Sequence, residues 1–86
     1  MPQISCFFGI IISMYYDEHN PPHFHATYGE YKAEISINEL NIIVGKLPPR
    51  VLGLIIEWAA MHRTELLQNW ERIEKGEPIQ NILPLE

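Results

Sequence analysis

Three of the four histidines, His19, His23 and His25, fall within seven residues, in the run Asp17-Glu18-His19-Asn20-Pro21-Pro22-His23-Phe24-His25. Imidazole titrates near neutral pH, donates and accepts hydrogen bonds and ligates metals, so such a cluster has chemistry open to it. In a strand, side chains two apart point the same way, with Cα atoms roughly 6.5–7 Å apart. His23 and His25 should therefore stand side by side on one polar face. A hairpin partner would set Glu34 directly across from His25. Three uses compete. The histidines could simply hydrogen-bond to the adjoining loop and to Glu34. They could ligate zinc or a similar ion, His23 and His25 joined by Glu34 or His19, although the spacing is far less specific than HExxH. Or they could form a binding or acid–base site, the carboxylate orienting the ring, to move protons in RNA cleavage or to read a phosphate. No Ser or Cys nucleophile has an evident base beside it, and there is no Gly-rich phosphate loop.

The elements that must place these groups can be read along the chain. Phe7 to Tyr16 is rich in Ile and aromatics and reads as one strand, buried on both faces or central. Residues 17–22 form a connection, because Asn, Asp and consecutive prolines favour turns. Phe24 to Tyr28 and Tyr31 to Ile37 read as strands joined by Gly29-Glu30, a type II′ loop. That loop sets the register: Tyr28 faces Tyr31, Ala26 faces Ala33, and Phe24 faces Ile35. The opposite face pairs Thr27 with Lys32, His25 with Glu34, and His23 with Ser36. A one-residue slip would mix the two faces. A turn at 38–41 leads to a short fourth strand, Ile42 to Val44. Pro49 then opens a helix, and apolar residues at Leu52, Ile55, Ile56, Ala59, Leu66, Trp70 and Ile73 keep helical spacing up to Gly76. At 1.5 Å per residue such a helix would span roughly 40 Å, long for so small a domain; a bend near His62-Arg63-Thr64 is open to it, though no Pro or Gly forces one. The expectation is an α+β fold: a mainly antiparallel sheet of about four strands with one long C-terminal helix packed on it. It forms a single domain over 1–86, β-rich over 4–44, helical over 49–75, with an extended tail over 77–86.

The 86 residues, 47% hydrophobic and 20% charged, suit one small globular domain. Cys6 is the only cysteine, which excludes an internal disulfide or a Cys-based zinc finger and suggests a reducing, cytoplasmic setting. The apolar run from Cys6 to Tyr16 is too short to span a membrane and has no basic residue before it. With a net charge of −5, unaided binding to nucleic acid is not expected. Tyr15, Tyr16, Tyr28 and Tyr31 could stack bases, but such residues are usually sheet aromatics. The first half of the helix is apolar nearly all round. That surplus implies a homo-oligomer or a partner protein, unless the tail Ile79-Ile82-Leu83-Leu85 folds back over it. His62 lies four residues beyond Trp58 and shares its face, where packing is the simpler role.

The stretches FFGIIISMYYDEHNPPHFHATYGEYKAEISI and GKLPPRVLGLIIEWAAMHRTELLQNWERIEKGEPIQNILPL resemble a family of short bacterial proteins, domain of unknown function 4160. The similarity covers essentially the whole chain and is most specific over Asn20 to Ala26 and Leu47 to Arg50. The residues that match are His19, Asn20, Pro21, Pro22, His23, Phe24, His25, Arg50, Trp58, His62 and Trp70. The chain departs at Cys6 and Ser13, where relatives often carry a longer polar or basic side chain. The resemblance implies one component of a two-gene, toxin–antitoxin-like system, acting by protein–protein interaction. It makes His19, His23, His25, Arg50 and His62 candidates for ligand or partner contact, and the hairpin register adds Glu34 to them. A small ribonuclease-type toxin or a metal-binding protein are the alternatives. No cofactor is expected, except a metal ion under the last of these.

Overall fold

Antiparallel neighbours build the sheet in sequence order, two of the four connections being residue pairs, Phe8-Gly9 and Gly29-Glu30, that reverse the chain at once. A computed structural model describes residues 2–86. It contains five strands, β1 (Gln3–Phe7), β2 (Ile10–Ser13), β3 (His23–Tyr28), β4 (Tyr31–Ser36) and β5 (Ile42–Gly45), and two helices, α1 (Pro49–Met61) and α2 (Arg63–Lys75). The strands pair antiparallel in the order β1-β2-β3-β4-β5, giving an α+β fold.

The β3–β4 hairpin has the expected register at every pair, from His23 opposite Ser36 to Tyr28 opposite Tyr31. Gly29 carries the positive φ, 57°, that the loop needs. The strand expected over 7–16 is instead two strands. Phe8 and Gly9 both have positive φ, 51° and 77°, the signs of a type I′ turn, and they fold the run back on itself. A continuous apolar run hides such a turn, because Phe8 carries no turn signal; it projects 60% exposed. The sheet therefore has five strands rather than four.

The single long helix is also divided. His62 leaves helical geometry at φ −121° and ψ 24°. Neither Pro nor Gly breaks the helix there; Arg63 Nε–H donates to the Ile37 carbonyl at 3.2 Å and ties the start of α2 to the end of β4. Gly76, at φ 72°, ends α2, with Glu77 N–H donating to the Arg72 carbonyl.

The core lies between one sheet face and α1. Phe7, Ile10, Ile12, Phe24, Ala26, Ala33 and Ile35 form a single buried cluster with Val51, Ile55, Trp58 and Ala59. Trp58 is fully buried against Phe7 and Phe24, with ring centroids at 5.3 and 5.9 Å. The tail takes up part of the surplus apolar surface: Ile82 and Leu85 are buried. Hydrogen bonds hold the tail, among them Trp58 Nε1–H to the Leu83 carbonyl, Ile82 N–H to the Ile4 carbonyl, and Asn69 Nδ2–H to the Gln80 carbonyl. Asn69 Oδ1 also accepts from Gln80 N–H and from Arg72. Among the described residues, no helix is long and apolar enough to cross a membrane.

Candidate functional site

Alternation along β3 places His23 and His25 on the face opposite Phe24 and Ala26. The imidazole centroids lie 5.4 Å apart. Trp70 of α2 packs on the His23 ring at 5.3 Å, and Tyr15 meets the His25 ring edge-on at 4.7 Å. His23 is consequently buried, its side chain 6% exposed, while His25 stays partly open at 24%.

The carboxylate that closes the cluster is Glu18, which the sequence reading did not single out. Asp17, at φ 68°, turns the chain after β2, and the connection 14–22 brings Glu18 back over β3. His25 Nε2–H donates to Glu18 Oε1, and the same oxygen lies 3.4 Å from His23 Nε2. The expected pairing of His25 with Glu34 holds in backbone register only. Glu34 approaches His23 instead, at 3.6 Å, and the contact with His25 falls to Glu18. One signal was available: Glu18 stands within the His-rich run itself.

The polar bonding of His23 is unbalanced. The Pro21 carbonyl can only accept, so His23 Nδ1 must be the N–H that donates to it, at 2.8 Å. His23 Nε2 is buried and has no hydrogen-bond partner, although two carboxylates lie within 3.6 Å. A buried nitrogen without a partner is costly, and neutral imidazole would turn a lone pair toward negative charge. Burial alone would push the Glu18 carboxyl up. The hydrogen bond and electrostatic pull of His25, with smaller contributions from His23, outweigh burial and hold it below the ordinary glutamate range.

Glu18, His23 and His25 each offer one donor atom, and these atoms all lie within 4.8 Å of one another. A tetrahedral ion with bonds of about 2.0–2.1 Å needs donors roughly 3.4 Å apart, so small side-chain adjustments would suffice. An open cleft of about 460 Å³ adjoins the cluster, lined by Tyr15, His25, Thr27, Lys32, Glu34 and Val44. A cleft of about 510 Å³ between β1 and the tail contains no histidine.

The other candidates lie elsewhere. His19 is exposed on the β2–β3 connection and is not among the three converging donors. Arg50 is exposed in the first turn of α1. His62 sits at the break between the helices, its Nδ1 against Glu65 and its ring 5.6 Å from Trp58.

Fold and cluster together define a small α+β domain whose antiparallel sheet carries a histidine–glutamate site at the mouth of a cleft. The chain belongs to the family described as domain of unknown function (DUF4160), which matches residues 9–71 and so includes Glu18, His23, His25 and Glu34. Comparison with curated proteins and with solved structures yields no match.

Proposed function

We propose that this protein binds a divalent metal ion of the zinc type through Glu18 Oε1, His23 Nε2 and His25 Nε2, the ion displacing the proton through which His25 Nε2 bonds to Glu18 in the empty site. The observation that carries the reading is the buried Nε2 of His23, which faces two carboxylates without a hydrogen bond. A cation there gives the lone pair a partner and neutralises the carboxylates. Two imidazole nitrogens and one carboxylate oxygen form a donor set that zinc accepts while keeping a fourth position open. His23 Nδ1–H to the Pro21 carbonyl is the type of outer bond that orients a ligating imidazole. Used as acid–base groups instead, the same histidines would need access, and His23 is sealed beneath Trp70.

The test uses protein purified without a histidine tag and stripped with chelator, then titrated with Zn²⁺ by calorimetry. Zinc at a hundredfold its Kd stabilises the fold by about 2.7 kcal/mol. For a domain of this size that raises Tm by roughly 10–20 °C. His23→Ala and His25→Ala should abolish the gain, whereas His19→Ala and His62→Ala should keep it. No thermal shift with Zn²⁺, Co²⁺, Ni²⁺ or Fe²⁺ sinks the reading.

A second reading is favoured by β5, an outer strand on which Ile43 and Val44 are 42% and 54% exposed. An apolar strand at a sheet edge is a template for pairing with another chain. We propose that this edge docks a small partner protein, the chain being one component of the two-gene, toxin–antitoxin-like system that its resemblance implies, with self-association as the competing outcome. Co-purification with the neighbouring gene product and light scattering test it, and a monomer indifferent to that product would refute it.

A further inference from the structure

Resting on the metal reading, we infer that the open coordination position receives the oxyanion of a small ligand, and that Lys32 supplies its second positive contact. Three observations converge. The cleft beside the cluster shares His25 and Glu34 with it, so a molecule in the cleft reaches the ion from its unprotected side. His23 is sealed by Trp70, while His25 is partly open, so the fourth position can face only the His25 side.

The third observation is charge. Lys32 lines this cleft together with His25, and it stands two positions before Glu34 on the same face of β4, opposite Thr27. With a divalent ion bound, the ion and Lys32 carry three positive charges against the two of Glu18 and Glu34. The loaded site is net positive, although the whole chain carries −5. Without the ion the same groups are net negative and repel an anion. Anion binding should therefore be conditional on the metal. A volume of about 460 Å³ admits a small molecule rather than a polymer groove. An ammonium group acts as a point charge toward phosphate or carboxylate alike, so the shared chemistry is the oxyanion.

The experiment uses the full chain loaded with Co²⁺, whose visible bands report its ligands. Inorganic phosphate and acetate are titrated separately. The inference expects phosphate, acetate or both to shift the bands saturably, and the stronger of the two identifies the ligand class. Lys32→Ala should weaken that anion at least tenfold while Co²⁺ affinity stays the same, and Lys32→Arg should restore most of the loss. Chelated protein should bind neither anion by calorimetry. Cobalt bands that neither anion moves, or an unaltered anion affinity in Lys32→Ala, overturn the inference and leave the metal reading standing. Failure to acquire cobalt bands at all overturns both, and is told apart because it precedes any addition of anion.

Discussion

Replacing His23 by Leu, in the presence of chelator, separates a binding site from a structural lock. Leu fills a similar volume and keeps an apolar surface beneath Trp70, whose ring lies 5.3 Å from the imidazole. The substitution loses one hydrogen bond, Nδ1–H to the Pro21 carbonyl, a net loss of about 0.5–1.5 kcal/mol. Pro21 is exposed, so water can replace the lost donor. The substitution also removes a buried nitrogen that has no partner, relieving about 1–3 kcal/mol. The net effect runs from a loss of about 0.5 to a gain of about 2.5 kcal/mol, with a central value near +1. For a domain of this length that corresponds to a rise in Tm of about 4–8 °C. Urea unfolding followed by tryptophan fluorescence and circular dichroism measures it, because Trp58 and Trp70 are both buried. Were His23 instead a charged partner locked between Glu18 and Glu34, removing it would leave carboxylates uncompensated and cost about 3–5 kcal/mol. A destabilisation above 2 kcal/mol would therefore refute the reasoning that makes His23 a waiting ligand. A residue that is neutral or adverse for the empty fold is placed for binding rather than for stability.

The Glu18 carboxyl is held below its ordinary range, so the stability it lends is present above the unfolded glutamate value of about 4.3 and is lost as pH falls through the lower folded value. In metal-free protein, the urea midpoints of wild type and Glu18→Gln should thus differ at pH 6 and converge on acidification below about pH 4; a constant gap removes Glu18 as the cause. Added salt should narrow the gap at pH 6, because Glu18 is 26% exposed and its pairing is partly screened. Asn69→Ala removes the two hydrogen bonds to Gln80 that pin the tail, and a third to Arg72 within α2, and should cost about 2–4 kcal/mol. Limited proteolysis should then cut after residue 76 first, and a tail that stays protected would contradict the clamp.

The β3–β4 hairpin was legible because its determinants are local. Gly29 selects the turn, alternation selects the faces, and a two-residue loop leaves one register in which both agree. The same holds for Pro49 at the start of α1 and Gly76 at the end of α2. Side-by-side placement of His23 and His25 needed only the period of a strand. Phe8-Gly9 was less visible, since one of its residues is an aromatic at positive φ that propensity assigns to a strand. Asn69 could have been noticed as a polar residue on the stripe of Leu66, Trp70 and Ile73, a position that calls for a buried partner.

The chemical site was another matter. Spacing put two imidazoles on one face, but which acid met them depended on the path of a nine-residue connection over the sheet. Glu34 was the neighbour by register, yet Glu18, seven positions from His25 in sequence, took the hydrogen bond. The depth of His23 came from Trp70, forty-seven residues along the chain, and the break at His62 from a contact between Arg63 and the end of β4. Turn types and periodicity are properties of a few adjacent residues and can be read in order. Burial, a missing hydrogen-bond partner and the meeting of three donor atoms are properties of distant segments packed together, and no local pattern encodes them.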